Sequence, residues 1–379
     1  MTHIEWIEGG ATRTALWRSE SGWPAPKKVV IADDTMNADA AYRLALDGTA
    51  LLWRGDYQNA RQLLQALVRR IEHKGERARR AKAGKTAATP LESFHRHRLS
   101  QLQRARTLAM LVIPFDADHT IPLRRAPDAR LACQEAYGAA PEPYIASLRE
   151  LLGVIGAHEW RRKGVMIPAL DARIHPWYGV FSPVRGEYVE LVAQAPLPGN
   201  AKLAFDIGAG TGVLSALLAQ RGLQVTATDM DERALGCARD NIARLGLASQ
   251  VDIIKADLFP DGRAALVVCN PPWLPGKPSS SIETAIYDPD SRMLRGFLDG
   301  LAPHLAPGGE GWLIMSDLAE HLGLRSREQL LGWIAGAGLQ VLARHDTRPV
   351  HARASDADDP LHAARSQEVT SLWRLQALT

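Results

Sequence analysis

The sequence predicts an α/β fold: a seven-stranded, mostly parallel sheet in the second half, preceded by a helical N-terminal domain and a hairpin linker. Three observations support this prediction. Apolar residues of the first half recur at helical spacing, short apolar segments alternate with helical ones after residue 203, and one of these segments runs directly into a glycine-rich loop. The 379 residues, 46% hydrophobic and 23% charged, suit a globular protein of about two domains.

Residues 1–163 are expected to form the helical domain. The spacing of apolar residues in 63–71 is that of a helix buried on one face. Thr89 is placed to cap a second helix that runs to about residue 111, because Pro90 suits a first helical position. A third helical run covers 144–163. We therefore expect a domain built mostly of helices.

Residues 164–182 differ in character from both flanking regions. Val165, Met166 and Ile167 favour a strand, a turn-prone stretch follows at 176–179, and Ile174 lies between them in a second short apolar stretch. This pattern predicts a hairpin that links the two domains.

Residues 183–379 are expected to form the α/β domain. Short apolar segments that alternate with helical ones are typical of βαβ units and a parallel sheet. The last two apolar segments lack a helical segment between them, and a polar stretch at 351–367 is predicted to be a loop, so the final strand should be antiparallel. The seven predicted strands are 203–207, 224–228, 251–254, 265–269, 311–315, 339–343 and 370–375.

Composition excludes several classes of protein. The longest apolar run, 108–115, is too short to cross a bilayer, and acidic residues near the N-terminus are atypical of a signal peptide, so we expect a cytoplasmic protein without membrane contact. Cys133, Cys237 and Cys269 are far apart, and His95 and His97 point away from each other on a helix. We therefore expect buried free cysteines and no metal.

The glycine loop is the most informative motif. Asp206-Ile-Gly-Ala-Gly-Thr-Gly212 follows an apolar strand and precedes a helix, which lets the backbone approach a ligand closely. A dinucleotide fingerprint would require glycine at Val213, so the spacing is instead D-x-G-x-G-x-G. This resembles the first motif of class I S-adenosylmethionine-dependent methyltransferases, which implies a Rossmann-like methyltransferase sheet and S-adenosyl-L-methionine as cofactor.

Two more acids follow the next two strands. Asp229 ends the second strand, 19 residues after Gly210, where a carboxylate can accept hydrogen bonds from both ribose hydroxyls. Asp257 follows the third strand and resembles the acid that binds the adenine amino group in the family. A short segment before the glycine loop, containing Pro183 and Glu187, resembles one that lines the cofactor pocket. The resemblance implies a cofactor site made of Pro183, Asp206, Gly208, Gly210, Thr211, Gly212, Asp229, Met230, Asp257, Leu258 and Asn270.

The fourth strand ends in Asn270-Pro271-Pro272-Trp273, at the sheet edge where open α/β folds bind ligands. This segment resembles the N-P-P-aromatic motif of methyltransferases that act on planar nitrogens, and the resemblance implies that these four residues are catalytic. A planar nitrogen is a poor nucleophile, since its lone pair is delocalised. The Asn270 oxygen and the Pro271 carbonyl would accept its protons, and Trp273 would offer a flat face to the acceptor.

The acceptor has three candidate classes. Leu274 and Pro275 after the motif, and a helical domain before a hairpin and a catalytic domain, resemble the HemK/PrmC-type glutamine N5-methyltransferases, which implies a translation factor as partner. Residues 179–182 also resemble the RsmC-type guanine-N2 enzymes, so structured RNA, methylated at guanine N2 or adenine N6, is the alternative. A duplicate glycine-loop sheet in residues 1–163 would favour RNA. A small planar metabolite is the third possibility.

Charge is distributed unevenly along the chain. Residues 1–164 carry 26 basic and 18 acidic side chains, a net of +8, and the rest carries −5. Residues 74–85 hold six basic residues and one acid, which suits either a phosphate backbone or a solvated helix face. Because basic surfaces attract both RNA and acidic proteins, charge does not choose between these partners.

Overall fold

A computed structural model describes residues 2–82, 88–183, 186–199, 201–349, 356 and 359–378. The chain divides into two compact units. The first comprises residues 1–89 and 95–159, and the second comprises residues 90–94 and 160–379.

The first unit contains a six-stranded mixed sheet flanked by helices. Its strand order is β1-β2-β6-β5-β4-β3, in which β3, β4 and β5 are parallel and β6 is antiparallel to β5. The strands are β1 (His3–Glu8), β2 (Ala11–Trp17), β3 (Lys28–Ala32), β4 (Thr49–Trp53), β5 (Leu111–Phe115) and β6 (Tyr144–Ser147). The helices that begin in this part of the chain are α1 (Ala38–Leu46), α2 (Tyr57–Lys82), α3 (Pro90–Ala109), α4 (Arg130–Tyr137) and α5 (Leu148–Lys163).

The prediction of a helical domain for residues 1–163 is therefore wrong. Helices α2, α3 and α5 are where the periodicity indicated them, but β6 lies inside the predicted helical run 144–163, and β5 begins where the second predicted helix ends. Every residue of β4 and β6 is buried, so these strands lack the alternation that identifies a half-buried strand. In a four- or five-residue apolar segment, periodicity cannot distinguish a buried strand from a buried helical turn.

A duplicate glycine-loop sheet in residues 1–163 would have favoured an RNA acceptor, and the first unit meets this condition only in part. The first unit has a sheet, but the connection from β3 to α1, residues 33–37, contains no glycine. Asn37 instead caps α1, because its side chain accepts a hydrogen bond from the backbone N–H of Ala40 at 2.9 Å. This unit therefore carries a sheet without a glycine loop at that strand end.

The second unit contains the hairpin and a seven-stranded sheet. The hairpin, β7 (Val165–Ile167) and β8 (Ala172–Ile174), is antiparallel. The sheet order is β11-β10-β9-β12-β13-β15-β14, and only β15 runs against the others. Its strands are β9 (Leu203–Ile207), β10 (Gln224–Asp229), β11 (Val251–Lys255), β12 (Ala264–Cys269), β13 (Leu305–Ser316), β14 (Leu339–Thr347) and β15 (Thr370–Ala377).

Helices cover both faces of this sheet, which is why its central strands are buried. One apolar cluster includes Val213, Leu217 and Leu235, and a second includes Phe297 and Leu298. The α-helices of the unit after α5 are α6 (Glu187–Gln194), α7 (Val213–Gln220), α8 (Glu232–Arg244), α9 (Arg292–His304), α10 (Leu318–His321), α11 (Arg327–Gly336) and α12 (His362–Arg365).

Four smaller predictions concern the cysteines, membrane spans, the loop at 351–367 and the basic segment. Cys133, Cys237 and Cys269 are free and buried, as predicted. Among the described residues no helix is long and apolar enough to cross a membrane. The predicted loop at 351–367 contains α12, which corrects that prediction in part, and 351–355 and 357–358 lie outside the described residues. The side chains of 78–85 in the basic segment also lie outside them.

Candidate active site

The register of three central strands brings the predicted site residues together. Ile207 at the end of β9 pairs with Thr228 of β10 on one side and with Cys269 of β12 on the other. The residues that follow these three are Gly208, Asp229 and Asn270, so they lie side by side at the carboxyl edge of the sheet. Neighbouring strands are about 4.8 Å apart. The glycine loop and the Asn-Pro-Pro-Trp segment are therefore direct neighbours.

Backbone conformation explains the glycines of the loop. Gly208, Gly210 and Gly212 all have positive φ, at +81°, +53° and +78°. A Cβ at Gly208 would lie 2.7 Å from the terminal methyl of Met293, and one at Gly212 would lie 3.3 Å from Ala238. A Cβ at Gly210 would meet nothing within 4 Å, so the middle of the loop faces open space. That space is where a ligand can approach the backbone.

Asp229 holds the glycine loop as well as occupying the strand end. Its Oδ2 accepts the N–H of Gly210 at 3.0 Å, and its Oδ1 accepts the N–H of Asp231 at 3.0 Å. Burial is the main cause that raises the pKa of Asp229 above its ordinary value. Met230, the next residue, is 55% exposed, which is high for an apolar side chain.

Asp206 lies on β9 beneath the loop and is 1% exposed. The hydroxyl of Ser215 on α7 donates to its Oδ2, and its Oδ1 has no hydrogen-bond partner among the described residues. Burial raises the pKa of Asp206 to about 7, which the hydrogen bonds from Ser215 oppose. The structure thus contains a buried carboxyl oxygen that lacks a donor.

The raised pKa of Asp206 predicts a pH-dependent stability. Between the ordinary value of 3.8 and about 7, the folded protein binds one more proton than the unfolded chain, so stability falls as pH rises through this window, by at most about 1.4 kcal/mol per pH unit. Asp206→Asn removes this group. Urea unfolding between pH 4 and pH 8 should show the variant gaining stability relative to wild type up to pH 7 and levelling off above it. A constant difference would contradict the prediction.

Asp257 and Leu258 follow β11 at the same edge of the sheet. Asp257 forms an ion pair with Arg292 at 2.6 Å, and both side chains are about half exposed or more. Leu258 has a φ of +75°, and its carbonyl accepts the Thr228 hydroxyl. If Asp257 binds the adenine amino group as proposed, it must do so with a carboxylate that is already paired with Arg292.

The Asn-Pro-Pro-Trp segment follows β12 as irregular chain that bends at Trp273. The indole Nε1–H of Trp273 donates to Oδ1 of Asn270 at 2.9 Å. Pro271 is buried, and the Trp273 ring is partly buried and packs against the clusters on both faces of the sheet. Trp273 is therefore less open than a free stacking platform.

Asn241 connects the glycine loop to the segment before it, and sequence reasoning missed this residue. It is 1% exposed on α8. Its Nδ2 donates to the carbonyl of Thr211 at 3.0 Å, and its Oδ1 accepts the N–H of His175 at 2.7 Å. His175 and Pro183 lie at the two ends of residues 175–183, which precede the glycine loop, and Pro183 is also buried. A lone asparagine within a helical pattern gives no sequence signal of such a role.

We expect Asn241→Leu to weaken both the fold and the cofactor site. The change leaves the carbonyl of Thr211 and the N–H of His175 without the partner that Asn241 supplies. Each unpaired group costs about 1 to 3 kcal/mol of stability. Thermal unfolding should show a lower midpoint, and calorimetry should show weaker S-adenosylmethionine binding. Asn59→Leu, at a partly buried asparagine of α2 whose Nδ2 donates to Asp34, is the control and should leave cofactor affinity unchanged. Unchanged affinity in Asn241→Leu would remove this residue from the site.

Two further residues beside the site carried no sequence signal. Arg325, 4% exposed, donates from Nη2 to the carbonyl of Trp273 at 3.4 Å and contacts Sδ of Met315 at 3.3 Å. Met293 covers Gly208. Only the tertiary structure brings these side chains to the loop and the motif.

The fold and the site define a class: a Rossmann-like sheet with a glycine loop, which is the class I methyltransferase fold. A family model described as "Methyltransferase small domain" matches residues 174–326.

Curated relatives agree with that class. The tRNA1(Val) (adenine(37)-N6)-methyltransferase of Shewanella woodyi is 31% identical over 150 residues, which are 36% of this chain and 61% of that one. The release factor glutamine methyltransferase of Gloeobacter violaceus is 28% identical over 200 residues, which are 48% of this chain and 67% of that one. The chain thus spans less than two thirds of the first relative. Together with the fold, these matches support an S-adenosylmethionine-dependent methyltransferase.

The residues present fit that cofactor. The partnerless Oδ1 of Asp206 suits a cationic ammonium group, and the open space over Gly210 suits a ligand laid across the loop. Asp229, whose carboxylate ends β10, suits a pair of ribose hydroxyls. No cluster of three or more potential metal ligands occurs within the described ranges.

Proposed function

We propose that this protein is an S-adenosylmethionine-dependent methyltransferase that methylates a planar exocyclic amine of a base in structured RNA, with adenine N6 as the preferred position. The pairing of Ile207 with Cys269 carries the proposal, because it sets the glycine loop beside Asn270. A cofactor held over the loop would place its methyl group next to the motif that accepts the amine.

The bound cofactor supplies an electrophilic methyl group on a sulfonium. Asn270 Oδ1 and the Pro271 carbonyl accept the two N–H groups of the acceptor amine and hold its nitrogen toward that methyl. Both hydrogen bonds strengthen as the nitrogen pyramidalises, so they stabilise the transition state more than the ground state. The acceptor nitrogen would take up the methyl group that the bound cofactor supplies, with the cofactor's neutral thioether as leaving group, and would release one N–H proton to water.

Three observations favour RNA over a protein acceptor. The Shewanella relative is named for tRNA adenine methylation. The first unit has a sheet, which removes the helical-domain order on which the glutamine prediction partly depended. Exposed arginines of α2 and α3 contribute to the net +8 of residues 1–164, and such residues neutralise phosphates. They include Arg61, Arg69, Arg77, Arg96 and Arg106.

A protein glutamine is the second candidate. Leu274 and Pro275 after the motif favour it, and the Gloeobacter relative is named for that reaction. The amide nitrogen is also planar, so the same two acceptors of the motif would serve it. A translation factor would then be the partner.

Labelling a cell extract distinguishes the candidates. The protein is incubated with methyl-labelled cofactor and extract, and parallel samples are digested with ribonuclease or with protease. We expect ribonuclease alone to release the label, and nucleoside chromatography to identify N6-methyladenosine. Label that survives ribonuclease and is released by protease supports glutamine instead. Label that passes a small-molecule filter before digestion excludes both macromolecules.

A further inference from the structure

The hydrogen bond between Trp273 and Asn270 lies inside the proposed catalytic motif. The indole N–H reaches the very oxygen that is assigned to the acceptor amine, at 2.9 Å. An amide oxygen has two acceptor positions, so one remains for the substrate. The bond therefore reduces the accepting capacity of Asn270 without removing it.

This bond also fixes which end of the Asn270 amide occupies its position. The oxygen and the NH2 group of an asparagine are nearly equal in shape, and only the oxygen accepts hydrogen bonds. With the indole N–H as neighbour, the flipped amide would set a donor against a donor. Trp273 thus holds the accepting atom in place before the acceptor arrives.

Trp273 is itself firmly held. The buried guanidinium of Arg325 donates to its carbonyl, and its ring packs against the apolar clusters on both faces of the sheet. Phenylalanine would keep an aromatic ring here but has no hydrogen-bond donor. Tyrosine would carry its donor, the hydroxyl, at the far end of its ring and not at the position of the indole N–H. The chemistry of this arrangement is therefore particular to tryptophan.

We propose that Trp273 is a positioning residue that orients the Asn270 oxygen toward the acceptor amine, in addition to any contact it makes with the acceptor itself. The effect of this orientation on catalysis rests on the proposed function. The orientation of Asn270 is independent of which acceptor is methylated.

The direct test uses protein labelled with 15N in its tryptophan indoles and loaded with S-adenosylmethionine. The resonance missing from Trp273→Phe identifies the Trp273 N–H. We expect Asn270→Ala to shift this resonance and to speed its exchange with water by about two- to tenfold, the loss of one neutral hydrogen bond. Unchanged position and exchange would overturn the inference. This readout needs no acceptor, so it stands apart from failure of the proposed function.

The kinetic test uses as acceptor the fraction of the cell extract, RNA or protein, that the wild-type enzyme methylates. Trp273→Phe should lower kcat about tenfold and leave the acceptor KM and cofactor affinity within twofold. Added to Asn270→Ala, it should cause no further loss of kcat, because the bond is already gone. A role in stacking alone predicts additive losses and a raised KM. Trp333→Phe, at another partly buried tryptophan of the second cluster, is the matched control and should leave kcat unchanged.

Discussion

Replacing Asn270 by alanine is expected to lower turnover by roughly 10² to 10³-fold, the range found when one preorganised polar group that stabilises a transition state is removed. Its Oδ1 is a proposed acceptor for the amine and is held by Trp273 at 2.9 Å. Cofactor affinity should change little, because the loop and Asp229 remain. Single-turnover kinetics and calorimetry measure the two quantities separately.

Asn270→Asp is the informative companion variant. A carboxylate keeps acceptor oxygens at the same place, so part of the turnover should survive. Equal loss of cofactor binding and turnover in Asn270→Ala would indicate that Asn270 supports the fold of the site rather than the acceptor. Retention of full turnover would exclude it from the chemistry.

Asp229→Ala is expected to weaken S-adenosylmethionine binding by at least about 10- to 150-fold. The ribose hydroxyls would lose a charge-assisted acceptor worth about 1.5 to 3 kcal/mol. The structure adds a second reason, because the same carboxylate accepts the N–H of Gly210 and steadies the loop. Calorimetry of wild type and variant gives the ratio directly.

Two controls sharpen that measurement. Asp229→Asn keeps one acceptor oxygen and should lie between wild type and alanine. Asp252→Ala removes an exposed carboxylate from within β11 and should leave affinity unchanged. Since burial raises the pKa of Asp229, wild-type affinity should also fall as pH drops through that raised pKa, and Asp229→Ala should lack this dependence. Wild-type affinity in Asp229→Ala would remove it from the cofactor site.

The secondary structure of the second half of the chain was predicted from the sequence more completely than that of the first half. In the second unit, each strand is followed by a helix or a turn with clear signals, and the predicted alternation corresponds to the observed sheet. In the first unit, β4 and β6 are wholly buried and only four or five residues long. Burial on both faces removes the polar alternation that would have marked them.

The candidate site divides in the same way. The glycine loop, Asp229 and Asn270 were predictable, because a motif and a strand end are local features of the chain. The bond from Trp273 to Asn270 spans three residues, yet it depends on the path of the chain through Pro271 and Pro272 and on the packing of the indole ring. The ion pair of Asp257 with Arg292 joins positions 35 residues apart.

The sequence by itself determined the strand-loop-helix units and the order of acids along the sheet edge, since these follow from local periodicity and from residues next to one another. The cofactor class was implied by the resemblance of the glycine loop to a known motif. The tertiary structure alone decided that Asn241 joins Thr211 to His175, and that Arg325 is buried beside the motif. Such contacts depend on how helices and loops pack across the sheet, and packing partners distant in sequence leave no periodic signal in the chain.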